Sequence, residues 1–185
     1  MNENSKIMLS TSNENIISIT EKASNITVDG LTLQGTRADA LNVAGENCKI
    51  VNCTVKNAAD CGINVSGKNN LVENCEVAFI GKDAVVLSGG SAEGFVYGSN
   101  TVTNNSLHDY GEIQKTYIAG VNLSGIGNVV SHNEIYNAPH MGVYYTGNEN
   151  VVEYNYIHDV VLQSSDAGAI YTGYSYSTYG NVVRY

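Results

Sequence analysis

The stretch Asn128-Val129-Val130-Ser131-His132-Asn133-Glu134-Ile135 decides the fold of this 185-residue chain, because it recurs along it. Versions of the unit begin at Ile26, Cys48, Asn70, Asn100 and Asn150, and a seventh opens at Asn181. The starts are spaced 22, 22, 30, 28, 22 and 31 residues apart. A second signature, small-apolar-x-apolar-small-Gly, follows each unit, at 40–45, 62–67, 84–89, 120–125, 142–147 and 168–173. A basic period of 22 built from short β-type segments is one rung of a β-solenoid, each coil stacked on the last.

Aligned on their first residue, the repeats place Val28, Ile50, Val72, Val102, Val130 and Val152 in one column. Leu33, Val55, Val77, Leu107, Ile135 and Ile157 fill another. In a parallel coil, like residues of successive rungs lie about 4.8 Å apart, so these columns are continuous inward stacks. Asn105, Asn133 and Asn155 share a position and are expected to form a ladder of side-chain amides. Cys53 and Cys75 occupy that position lower down, as small core side chains. In the second signature Leu41, Ile63, Val85, Val121, Val143 and Ala169 are expected to point inward. The column before them is Ala40, Gly62, Ala84, Gly120, Gly142 and Gly168. It implies either a trough outside the coil, with room for an extended ligand, or a bend in the backbone. Tyr145 and Tyr171 fall on inward positions, which marks a register change nearby.

The bulk composition narrows the function. One domain of this size can bury a real core. The formal net charge is −9, against the basic stripe that nucleic acid requires. No apolar run is long enough to span a bilayer, so no membrane partner is expected. The polar N-terminus lacks a signal peptide, which leaves the localisation open: secreted or periplasmic if the chain is part of a longer enzyme. The four cysteines form no Cys-x-x-Cys pair and have no histidine near them, so neither a metal nor a cofactor is expected.

Chemistry-bearing residues gather in the second half. All thirteen tyrosines lie at or beyond Tyr97 and all four histidines at or beyond His108. Insertions also begin there, in the third, fourth and sixth repeats. The chain reads as a single domain, with plain scaffold rungs over 25–89 and site-bearing rungs over 90–185. Counting places His108, Tyr136 and His158 in one column and Asp109, Asn137 and Asp159 in the next. His140 and Asp166 fall on adjacent rungs beside the glycine column, with Tyr144 on the same outward row as His140. Tyrosine rings stack on the C–H faces of sugars, and carboxylates accept hydroxyl protons or perform acid/base work. The candidate catalytic residues are therefore Asp166, Asp159, His140 and His158. The candidate substrate-binding residues are Tyr144, Tyr110, Glu112 and His108, with Tyr97 beside them. Glycoside hydrolysis in its usual form needs two carboxyl groups. Asp166 is the first, and Asp159, Asp109 or Glu112 supplies the second. The plainer reading of Asp109 and Asp159 is that they cap their turns.

Residues 133–173, with Ser164-Ser165-Asp166-Ala167-Gly168 within them, are similar to β-helical glycoside hydrolases of the α-L-fucosidase and xylanase type. The resemblance implies a right-handed parallel β-helix of about six 22-residue rungs and a carbohydrate-active protein that hydrolyses polysaccharide through paired carboxylates. It carries the catalytic role onto Asp166. The family's second carboxylate comes from a later rung, in an Ile-Tyr-Leu-Asp-Asp-like segment that this sequence lacks. The chain stops in mid-repeat at Tyr185. The expectation is a fragment of a longer protein, with solenoid ends open to self-association. The alternative is a non-catalytic glycan-binding or structural β-helix.

Overall fold

Each repeat contributes one strand to each of three sheets, because its aliphatic residues come in three short alternating runs separated by turn residues. A computed structural model describes residues 9–173 and 176–185. The first sheet collects Ile17–Ile19, Leu41–Val43, Ile63–Val65, Val85–Leu87, Ala119–Leu123, Met141–Tyr145 and Ile170–Tyr171. The second runs from Thr27–Asp29 to Val182–Arg184, and the third from Thr32–Thr36 to Tyr156–Ile157. Every strand in these sheets pairs in parallel with its counterpart one rung away. The result is a parallel β-helix, wound in the right-handed sense that twisted parallel crossovers take. The coil begins one strand earlier than the repeat count indicates, at Ile17–Ile19. No helix among the described residues is long and apolar enough to cross a membrane.

The two aliphatic columns form the core as the repeat requires. Ile50, Val72, Val102 and Val130 are at most 1% exposed, and so are Val55, Val77, Leu107 and Ile135. The third-repeat insertion is an antiparallel hairpin, Gly90–Ser91 with Val96–Tyr97, set beside the coil. The insertion between Gly173 and Asn181 includes Tyr174 and Ser175, which lie outside the described residues.

The asparagine ladder forms, and its hydrogen bonds fix the rung spacing. Asn133 Oδ1 accepts from the backbone N–H of Asn105 at 3.0 Å and from its side-chain Nδ2 at 2.9 Å. Asn155 Oδ1 does the same for Asn133, at 3.0 Å in both bonds. Each Nδ2 also donates to a carbonyl of the rung below, Asn105 to Val72 and Asn133 to Val102. Cys53 and Cys75 hold the lower end of this file by the same pattern. The Cys75 thiol donates toward the Glu73 and Ile50 carbonyls, as Asn155 does toward Glu153 and Val130. All four cysteines are free thiols. A second file runs through the first residues of the repeats. Asn70, Asn100, Asn128, Asn150 and Asn181 each accept, through Oδ1, the backbone N–H of the repeat start beneath.

The small-residue column departs from the trough reading. Ala40 and Ala84 are 0% exposed, and a Cβ on Gly120 or Gly142 would lie 2.5 Å from Ile135 Cγ2 or Ile157 Cγ2. The column therefore faces inward, against the aliphatic stack of the opposite sheet. The cause is a bend at the corner, where two successive residues turn into the core, Ala40 with Leu41 and Ala84 with Val85, all 0% exposed. Small side chains are there because the walls meet. In the last rung Val143 pairs with Ile170 rather than Ala169, so Tyr171 lies beside Tyr144 on the outer row.

Asp83 sits at one of these corners, 7% exposed, with Oδ1 accepting the Ala119 N–H at 2.7 Å. Burial pushes its carboxyl up to about 6, against opposing contributions from the Ala119 N–H, Asn122 and Lys82. The folded state thus holds the proton more tightly than the unfolded chain does. This group favours folding below its unfolded value of 3.8 and loses that contribution as pH rises toward 6, a change on the order of 3 kcal/mol.

Two outcomes follow for stability. Asn133→Ala strips acceptors from Asn105 and a donor from the Val102 carbonyl, each buried orphan costing about 1–3 kcal/mol. Equilibrium urea unfolding is expected to lose at least about 3 kcal/mol. Asp83→Asn keeps the acceptor for Ala119 but cannot ionise. Its urea midpoint should decline less than the parent protein's between pH 4 and pH 7.

Candidate functional site

The fourth, fifth and sixth rungs carry the side chains that meet in a cavity of about 220 Å³ on the outer face of the first sheet. His140 and Met141, each 4% exposed, form its floor. Tyr117, Tyr144 and Tyr171 wall it, and Asn122 and Asp166 complete the lining. Asn122, Tyr144 and Tyr171 occupy one outward row, because each sits at the middle of the register shared by consecutive strands. The Tyr144 and Tyr171 rings stand 6.4 Å apart at 27°. Tyr117 is tilted at 45° over the His140 ring, 6.1 Å away.

His140 is the unusual member. Its carbonyl accepts the Val161 N–H at 2.7 Å, so the sixth-rung insertion is tied down over it. Its buried Nδ1 has no hydrogen-bond partner. A buried polar atom left without a partner costs about 1–3 kcal/mol. Asp166 is exposed at the mouth. The shifted pairing of the last rung moves it one place out of the His140 column, yet the two still line one cavity.

The other predicted residues lie elsewhere. Tyr110 is corrected outright: its ring is 0% exposed, and its hydroxyl donates to the Met141 carbonyl at 2.7 Å. It is a core residue that supports the cavity floor from inside, because the corner at the fourth rung turns it inward. His108, Tyr136 and His158 form a file on the outside of the third sheet, with rings 4.7 Å and 5.0 Å apart and within 14° of parallel. Their faces cover one another, so they offer a ligand mainly ring edges. Each imidazole bridges two carboxylates. His108 lies 2.6 Å from Asp109 and 3.6 Å from Glu76; His158 lies 2.9 Å from Asp159 and 3.4 Å from Glu134. The Asp159 hydrogen bond, then Glu134, raises the pKa of His158. Asp109, Asn137 and Asp159 adopt φ of 50°, 53° and 48°, a turn conformation that Asn and Asp tolerate. Asp109 also accepts a hydrogen bond from Asn137. Their turn role is this backbone conformation; the carboxylates bond the His108, Asn137 and His158 side chains, where the plainer reading expected caps on their turns. Glu112 lines a separate depression with Arg37 and Phe79. Tyr97 belongs to the hairpin and packs against Gly127, where a Cβ would run into its ring.

Two further features are accounted for by structure. Ligand atoms of Asp39, Asp60 and Cys61 lie within 4.8 Å of one another. The Lys82 ammonium sits 2.8 Å from Asp60, Asp39 accepts the Cys61 N–H, and burial with nearby carboxylates pushes the Cys61 thiol up. The cluster thus draws its partners from its own neighbours. A wider depression of about 640 Å³ spans Lys49, Glu73 and Asn74 on the second sheet. It is open, and none of the residues lining it is aromatic.

Tyr117, Asn122, Met141 and Tyr171 were not among the residues expected from sequence. Asn122 was within reach, since it shares the Tyr144 row. Tyr171 was hidden by the register change, and Tyr117 by its place at the end of an insertion.

Comparison with known proteins supports the architecture. No curated protein sequence matches the chain. A structure of XylC in complex with xylose is similar in fold, with a TM-score of 0.53 at 14% identity, covering 70% of this chain. The enzymatically active domain of bacteriophage CBA120 tailspike protein 2 aligns with a TM-score of 0.48 at 12% identity, covering 76% of this chain. The chain spans 29% and 28% of those two chains. The family model for the right-handed beta helix region matches residues 2–113, more than half of the sequence. That repeat match, with the three stacked parallel sheets, makes the chain a member of the right-handed β-helix family.

Proposed function

We propose that the cavity receives a sugar residue of an oligo- or polysaccharide, and that Asp166 and His140 are the acid–base groups of a glycoside-hydrolase-type site. The observation that carries this reading is buried His140, its Nδ1 unpartnered, in the lining of a cavity walled by three tyrosines and one carboxylate. Tyrosine faces pack against the C–H surface of a pyranose, and the His140 nitrogen takes one hydroxyl. Asp166, at the mouth, is placed to exchange a proton with a glycosidic oxygen or a water. The xylose bound in the similarly folded XylC structure agrees with a saccharide ligand.

A second reading has an observation of its own. Asp166 is the single carboxylate lining the cavity among the described residues, and hydrolysis in its usual form requires two. A site of this composition binds a glycan without cleaving it.

Sugar release from plant polysaccharides and aryl glycosides, measured for the parent protein and Asp166→Asn, separates the two. The hydrolase reading expects the variant to lose about 100-fold or more of the rate with little change in sugar affinity. The binding reading expects no release from either protein, and loss of affinity in Tyr144→Ala.

A further inference from the structure

The fifth rung carries no insertion of its own. It spans the minimal 22 residues from Asn128 to Asn150, whereas the rungs on either side carry insertions. Each insertion folds down over the rung beneath it. Gly111 donates to the Lys82 carbonyl at 2.9 Å, and Ile113 and Gln114 both donate to Gly81. Two rungs higher, Val161 donates to His140, Leu162 to Ala138 and Gln163 to Pro139. Tyr117 ends the lower insertion and Asp166 the upper one, and both line the cavity whose floor is His140.

The cavity is therefore a notch in the axial direction. Tyr117 bounds it from the fourth rung, and Asp166 and Tyr171 from the sixth. The interval between those rungs is two strand spacings, about 10 Å. An extended chain lying along the coil would have to cross the side chains at both ends of the notch. A volume of about 220 Å³ is also small beside the roughly 300–1,000 Å³ of pockets that enclose drug-sized ligands. It suits one sugar ring. With a protein charge of −9 and a carboxylate in the wall, an anionic residue is disfavoured.

We infer that the notch recognises the terminal residue of a neutral glycan, entering end-on, and does not bind internal segments of a chain. This rests on the carbohydrate reading above. The His140 imidazole takes a hydroxyl of the terminal ring, a group that an internal residue has already committed to a linkage when the ring is turned to fit. The Tyr144 and Tyr171 rings, side by side on adjacent strands, form one wall against that residue, and the next one along leaves the notch.

Ligand-observed NMR titration of the full chain tests this. The probes are methyl glycosides of xylose, fucose, galactose and glucose, the matching β-1,4-linked xylo-, galacto- and gluco-trisaccharides, and those trisaccharides capped by O-methylation at the non-reducing end or reduced to the alditol at the other. The expected result is a trisaccharide affinity within about threefold of its methyl glycoside, with one of the two end modifications weakening binding at least tenfold. Tyr117→Ala, at an exposed position, should make the protein tolerate the modified end. Affinity that climbs tenfold or more with chain length, or is indifferent to modification of both ends, would overturn the inference while leaving the carbohydrate reading intact. No binding by any probe would overturn that reading and the inference together.

Discussion

Burying the corners of a narrow coil is the constraint on which the rest of this structure depends. Three sheets can supply aliphatic stacks, but the chain must turn between them, and turning leaves backbone N–H and C=O groups inside. Two files of asparagine answer this, each Oδ1 taking the N–H of the rung beneath and each Nδ2 returning a bond to a carbonyl. Aliphatic columns tolerate a slip, since one valine resembles the next. An amide that must meet a specific N–H does not. The ladders therefore set the register, and the stacks supply the bulk of the burial.

The scaffold was legible because each rung repeats the same solution. Val72 and Asn133 could be assigned from their columns alone, and the free, buried Cys53 and Cys75 fit the same file as donors. Reading failed where a local bend broke the period of two. Gly120 and Gly142 lie in the core because the corner turns two consecutive residues inward, and no periodic pattern records a bend of that kind. Tyr110 was misread for the same reason. The site was half legible. His140, Asp166 and Tyr144 meet in one cavity, yet Asp159 and His158 belong to a turn whose backbone conformation explains them.

The contrast between the two aromatic groups shows how placement decides chemistry. His108, Tyr136 and His158 are one strand spacing apart on a flat sheet, so their faces are spent on each other. Tyr117, Tyr144 and Tyr171 come from an insertion and a strand row, and they surround space instead. The same residue types make a structural file in one place and a cavity in the other. The difference is that the cavity tyrosines are set around a rung with no insertion of its own.

The insertions enter and leave the coil only at corners, and the asparagine contacts resume in register after each one: Asn100 meets Asn128 although 28 residues separate them, and Asn150 meets Asn181 across 31. Length is thereby uncoupled from the core. A lineage could lengthen, shorten or exchange these loops without changing the register of the stacked rungs. Ligand preference in such a protein would then drift through gain and loss of loop residues more readily than through point substitution.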